Sequence, residues 1–263
     1  MKNIIVCMKQ VLDPEIPLSL FRIDTEAKQA IPPKAMPPVL SPFDENALEA
    51  ALKIKDVQEV NVTVISLGKK LNRVVVSSAL AAGADQLVLL QDEDFGDFNT
   101  YLTANAIAAA IKKLGQYDLI LCGLQAADTN TGQVGIGIAS ILGIPCITTA
   151  YKVELTNEKI RIEKASTDGH EVIEAPTPAV VTITYEVGAL REPGVEAFMS
   201  AAKKPITIWD AEELGIETGN TNRFDLLKMY EPAHEGKCEM LEGASSEEKV
   251  EKLVAKLKEV KVI

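Results

Sequence analysis

The chain has 263 residues, 47% of them hydrophobic and 25% charged, and 38 acidic against 27 basic side chains leave a formal charge of −11. That length calls for one large domain, or one domain and an extension, with a core that needs no disulfide or metal staples. The acidic balance excludes a nucleic-acid coat or a binder of anionic membranes, while leaving room for a local basic face.

Short apolar runs alternate with helical patterns through the first 150 residues. Residues 4–8, 60–67, 86–90, 118–122 and 145–149 are apolar without polar alternation, as in parallel strands covered on both faces. Helices are predicted between them over 44–56, 70–82, 99–114 and 132–142. The first is signalled by Ser41 as N-cap, Pro42 at the first helical position and Asp44 three residues after the cap. Gly68, Gly83, Gly115 and Gly143 close elements. Such alternation predicts an α/β fold with a doubly wound, mostly parallel sheet. Strands at 153–155, 160–164, 171–174 and 180–185, with turns at 156–158 and 168–169, predict added β-hairpins. Beyond Gly188 the pattern turns irregular. Pro193, Pro205, Pro232 and an acidic, polar stretch over 210–242 read as an extended arm. A terminal amphipathic helix follows, with Ser245 and Glu248 as a capping box and Val250, Leu253, Val254 and Leu257 on one face. Such a detached helix is expected to pack on a partner.

Catalytic and metal chemistry find few groups to work with. Cys7, Cys122, Cys146 and Cys238 show no CxxC spacing, and His170 and His234 are too few for a zinc cage. Cys7 and Cys122 read as buried small hydrophobes, and a reducing cytoplasm fits. The apolar stretch at the N-terminus is too short for a signal peptide, and no window approaches the ~20 apolar residues of a membrane span. In open α/β sheets ligands lie beyond the carboxyl ends of the strands, at the switch point. The segment from Cys122 and Gly123 through Asp128, Thr129, Asn130, Thr131, Gly132, Gln133, Val134 and Gly135 leaves a strand there and enters a glycine-rich helix. Backbone N–H groups at that start, with the Thr131 hydroxyl and Gln133 amide, suit a phosphate; a plain polar loop capped by Asp128 or Thr131 is the other reading. Gly135, Gly137 and Ser140 come near a GxGxxG fingerprint but lie inside the helix, where packing explains the glycines better. Residues 92–97 resemble a calcium loop, but Gly96 falls one place early and Thr103 stands at the glutamate position. No catalytic constellation stands out, which favours chemistry belonging to a bound cofactor.

Four stretches carry a resemblance to the electron transfer flavoprotein β-subunit family. They are Val6-Cys7-Met8-Lys9-Gln10-Val11, residues 41–51 from Ser41-Pro42-Phe43-Asp44, Ala79-Leu80-Ala81-Ala82-Gly83-Ala84-Asp85, and the loop from Cys122 to Gly135. Residues 178–182 and 201–206 extend the likeness towards the C-terminus. The resemblance implies an electron-transfer subunit rather than a stand-alone enzyme, paired with an α-subunit that carries a redox FAD. The β-subunit itself would hold an adenine nucleotide, AMP in the conventional branch and a second FAD in the bifurcating one. By the family pattern its contacts are Cys7, Ser41, Pro42, Phe43, Asp44, Leu67 and Asp128 to Gly135, with Phe43 and Leu67 about the adenine and Thr131, Gly132 and Gln133 at the phosphates. The loop resembles the compact bifurcating form, Asp-Gly-Asp-Thr-Ala-Gln-Val-Gly, though Thr129 and Gly132 depart from it. FAD is therefore expected, with NADH as donor and ferredoxin as one acceptor. The family's recognition loop maps to Glu192, Pro193, Val195, Phe198 and Met199, where the usual leucine is missing and a dedicated flavin dehydrogenase is implied. The expected division is residues 1–188 for nucleotide binding, hairpins at 151–186 included, and 189–263 for docking and the arm. Two rivals fit less well. A pyrophosphatase of related fold lacks its SGGxDS loop here, and a small nucleotide-binding stress protein leaves everything after Ala150 unexplained.

Overall fold

Strands and helices alternate from the first residues in the computed structural model, which describes residues 1–34, 36–97, 99–156, 158–217, 226–231 and 238–263. In chain order they are β1 (Lys2–Cys7), β2 (Gln10–Val11), β3 (Arg22–Asp24), β4 (Gln29–Ile31), β5 (Val39–Leu40), α1 (Pro42–Val57), β6 (Val60–Gly68), α2 (Arg73–Ala82), β7 (Gln86–Gln91) and α3 (Thr100–Leu114). Then come β8 (Leu119–Gly123), α4 (Val134–Leu142), β9 (Cys146–Leu155), β10 (Lys159–Ser166), β11 (Gly169–Pro176), β12 (Ala179–Ile183), α5 (Val195–Ala201), β13 (Ile206–Trp209) and α6 (Ser246–Glu259). Nine strands form one sheet in the order β11-β10-β9-β12-β8-β1-β6-β7-β13. The chain runs outward through β6 and β7, then returns to β8 on the other side of β1, so its direction reverses between β1 and β8.

Pairing is parallel from β9 through β12, β8, β1, β6 and β7 to β13, and antiparallel in the β9-β10-β11 meander. Alternate residues of the central strands feed two cores. Ile4, Val6, Val62 and Val64 pack with Leu48 of α1 and Leu80 of α2, while Ile5, Ile65 and Ile120 pack with Ile107 of α3 and Ile138 of α4. Both faces are covered, which is why these strands read as unbroken apolar runs.

Three local readings change. The runs expected at 145–149 and 153–155 join, from Cys146 on, in one ten-residue strand, β9. Its first half pairs with β12 and its second with β10, Ala150 partners both, and Thr149, at φ 60°, sits at the register shift of the β12 pairing. Helix α2 starts at Arg73 rather than at residue 70, because the Asn72 side chain accepts from the N–H groups of Val74 and Val75. The stretch after Gly188 is not uniformly irregular: α5 packs on α2, and β13 adds the ninth strand beside β7. Four residues directly after Pro205 were too short a pattern to stand out.

At the C-terminus, Ser245 accepts from the Glu248 N–H at 3.3 Å and Glu248 accepts from the Ala244 N–H at 2.8 Å. The capping box therefore forms with its return bond one residue early. None of the residues of α6 is buried, and Val250, Leu253 and Val254 stand exposed. Asn157 of the expected turn, Pro232 and His234 lie outside the described residues. Among the described residues no helix is long and apolar enough to cross a membrane.

Candidate functional site

The switch point between β1 and β8 is assembled by bonds between distant parts of the chain. After β1, the short pair β2–β5 sets Gln10 against Leu40, and the Ser41 N–H donates to the Lys9 carbonyl at 2.8 Å. That delivers the start of α1 to the end of β1. Asp44, in the first turn, is buried; its carboxylate accepts from the Lys9 N–H at 2.8 Å and the Gly123 N–H at 3.1 Å. One side chain thus joins β1, α1 and β8. Burial pushes its pKa up to about 7, against the pull of those two N–H donors and the Lys9 ammonium.

Gly123 makes this closeness possible. A Cβ there would lie 2.5 Å from Asp44 Oδ1 and 2.6 Å from the Phe43 carbonyl carbon. Neither Ser41 nor Asp44 caps α1 as their spacing suggested. Ser41 makes no side-chain cap bond, its hydroxyl accepting from the Ala127 N–H at 3.3 Å. Ser41 is recruited by the loop after β8 instead, and Asp44 by Lys9 and the last residue of β8.

That loop is shaped for close approach. Asn130 and Gly132 adopt left-handed φ values of 52° and 62°. Asn130 donates its N–H to the Ala126 carbonyl and accepts at its side chain from Gln125. Asp128 pairs with the Lys9 ammonium at 2.6 Å, so it is not available as a helix cap. Helix α4 opens at Gln133 with no side-chain cap, and Gln133 Oε1 accepts instead from the Thr100 hydroxyl at 2.7 Å. Its first N–H groups thus receive no cap from the Gln133 side chain. Gly135 and Gly137 do pack: Cβ atoms there would lie 3.1 Å from Thr182 Cγ2 and 2.9 Å from the Ala104 Cβ.

The remaining site residues distribute around this centre. Cys7 and Cys122 are register partners on β1 and β8, both buried. Their hydrogen bond and the surrounding burial raise the Cys122 thiol pKa, which makes it a quiet packing group. Phe43 and Leu67 are half-buried at the start of α1 and the end of β6, and Pro42 is exposed. Asp128, Thr129, Asn130, Thr131 and Gln133 are exposed, with Gly132 and Val134 half-buried and Gly135 buried. Near the end of β6, the fully buried Ser66 hydroxyl has no hydrogen-bond partner. Left-handed backbone, a helix start without a side-chain cap, a spare hydroxyl and a lysine at a strand end suit an anionic nucleotide.

The residues read for docking lie elsewhere. Val195, Phe198 and Met199 sit on α5 rather than in a loop, and are 80%, 54% and 71% exposed. Glu192 and Pro193 precede this helix. Arg191 anchors it on one side, bonding Glu49 and Asp56 of α1 at 2.9 and 2.7 Å. On the other side the Lys204 ammonium donates to the carbonyls of Leu80 and Ala84 at the end of α2.

Two contributors, Lys9 and Gly123, stood in the stretches that carry the resemblance but were given no role from sequence. A lysine directly after a strand and a glycine closing one are the signals that were present.

A mostly parallel sheet with this loop at its switch point defines a doubly wound α/β protein. Residues 35–214 match the family described as the electron transfer flavoprotein domain. The electron transfer flavoprotein subunit beta of Clostridium acetobutylicum is 41% identical over 83% of this chain and 82% of its own length. The caffeyl-CoA reductase-Etf complex subunit CarD of Acetobacterium woodii is 36% identical over 99% of this chain and all of its own length. The acryloyl-CoA reductase electron transfer subunit gamma of Anaerotignum propionicum is 33% identical over the same shares. The chain belongs to the electron transfer flavoprotein β-subunit family.

Proposed function

We propose that this chain holds FAD at the β1–β8 switch point and serves flavin-based electron bifurcation. NADH is the donor, ferredoxin one acceptor, and the FAD of an α-subunit the route to a dedicated flavin dehydrogenase. The observation that carries this reading is the loop from residue 124 to 132, stapled by Ser41, held at its root by the Asp44 bond to Gly123, and leading into a helix without a side-chain cap. End-to-end likeness to a subunit named for a reductase–Etf complex supports the bifurcating branch over the AMP-holding one.

A bound flavin supplies the one- and two-electron chemistry; the chain binds, orients and docks. Asp44 and Gly123 bring β1, α1 and β8 close enough to form one wall. Cys7, Pro42, Phe43 and Leu67 border the adenine side. Thr129, Asn130, Thr131, Gly132, Gln133, Val134 and Gly135 present hydroxyls and N–H groups to the phosphates. Residues 1–188 hold the nucleotide, and residues 189–263 reach partners while β13 ties them to the sheet. The exposed face of α5 meets the dehydrogenase, and the apolar face of α6 meets the α-subunit. Such a complex works in the cytoplasm.

The test is to purify the chain with its α-subunit, release the cofactors and quantify them. Two FAD per heterodimer is the expected result. One FAD with AMP would move the chain to the conventional branch, and FAD from the α-subunit alone would overturn the site.

A further inference from the structure

We propose that Lys9 is a phosphate-binding residue kept occupied by Asp128, and that an entering adenine nucleotide displaces the Asp128 carboxylate from the Lys9 ammonium. This rests on the nucleotide reading above.

The backbone of Lys9 cannot move far. Its N–H donates to Asp44 and its carbonyl accepts from the Ser41 N–H, both at 2.8 Å. The side chain is free to turn: it is 43% exposed and touches Asp128 Oδ2 at 2.6 Å. The neighbouring Gln10 is committed elsewhere, donating to the Lys70 carbonyl and accepting from the Asn72 N–H. Lys9 therefore stands between two carboxylates, Asp44 held through its N–H and Asp128 through its ammonium.

That placement poses an electrostatic problem for any phosphate. An anion approaching the loop meets the charge of Asp128, and repulsion between like charges must be offset by a cation. Lys9 offsets it most fully by turning from Asp128 to the phosphate. An exposed lysine–carboxylate pair contributes little to stability, so the exchange is cheap. A phosphate offers a more highly charged acceptor than a carboxylate, and the first N–H groups of α4 add donors that Asp128 does not use. Asp128 then acts as a stand-in anion that keeps the lysine oriented when no ligand is bound.

The test compares AMP with adenosine on the full chain after any co-purified nucleotide has been removed, using calorimetry at fixed salt. Lys9→Met keeps both backbone bonds and should melt as wild type does. It should weaken AMP by about tenfold and leave adenosine within about twofold, while Lys9→Arg retains most of the AMP affinity. Asp128→Asn should tighten AMP in the wild-type background, and should not tighten it when combined with Lys9→Met. Equal weakening of AMP and adenosine by Lys9→Met, or an unchanged AMP affinity, overturns the assignment alone. Failure of the wild type to bind AMP, ADP or FAD overturns it together with the nucleotide reading.

Discussion

Replacing Gly123 by alanine attacks the one point where β8, the start of α1 and the loop after β8 meet. The added Cβ would lie 2.5 Å from Asp44 Oδ1, 2.6 Å from the Phe43 carbonyl carbon and 2.8 Å from the Asp44 nitrogen. Two of those atoms are backbone, so no rotamer change relieves the contact. Either β8 bends or the first turn of α1 retreats. Overpacking of this kind costs about 1–3 kcal/mol. The retreat also lengthens the 3.1 Å bond from the Gly123 N–H to the buried Asp44 carboxylate, and losing a charge-assisted bond adds about 1.5–3 kcal/mol. The sum is roughly 3–5 kcal/mol out of a domain stability of about 5–15. For a chain of this size that lowers Tm by on the order of 10 °C. Thermal melting and urea unfolding measure it, with the urea slope m unchanged and the midpoint lowered. Gly194→Ala is the control, since a Cβ there meets nothing within 4 Å. A Gly123→Ala protein melting within about 2 °C of wild type would refute the packing reasoning and the claim that Asp44 depends on it.

Asp44 also predicts a pH dependence. Its folded pKa of about 7 lies above the ordinary 3.8, so the native state binds the proton more tightly and this group favours folding most at low pH. Stability from Asp44 falls by about 1.4 kcal/mol per unit as pH rises from near 4 to near 7, about 4 kcal/mol in all, then levels. The difference in unfolding free energy between wild type and Asp44→Asn should follow that slope, and a pH-independent difference would count against it. Arg191→Met removes the two guanidinium bonds Arg191 gives the buried Glu49 and leaves only the one from its backbone N–H. We expect about 2–4 kcal/mol of lost stability by urea unfolding, and a loss under about 0.5 kcal/mol would mean that Glu49 finds other partners. Thr131→Ala combined with Gln133→Ala should strip the nucleotide from this chain while sparing the α-subunit flavin; unchanged cofactor stoichiometry would displace the phosphate site.

The central sheet was readable because its strands are covered on both faces, so unbroken apolar runs had one sensible explanation. The helix bodies followed from periodicity, and the glycines of α4 were correctly read as packing residues, since Thr182 and Ala104 crowd them. Short edge elements were harder. Strand β13 is four residues beside a proline, and its place depends on β7 more than a hundred residues earlier. Helix α5 looked like a loop because its exposed valine, phenylalanine and methionine form no buried stripe.

The site itself was half readable, and the missing half has a single physical cause. Ser41, Pro42 and Asp44 have the spacing of a helix start, and the helix does start there. Local rules then assign the two polar side chains to the helix's own N–H groups. The fold instead spends them across the sheet, Ser41 on Ala127 and Asp44 on Lys9 and Gly123. A pattern within four residues cannot report bonds that close over 86 and 79 residues. The same holds for Lys9 and Asp128, whose pairing spans 119 positions. Local chemistry identified residues able to bind an anion, whereas topology decided which are held fixed and which stay free to turn. In this protein Asp44 is fixed and Lys9 is free at its tip. On the proposal above, a buried, structural carboxylate beside an exchangeable cation would let the site admit phosphates without loosening the wall that receives them.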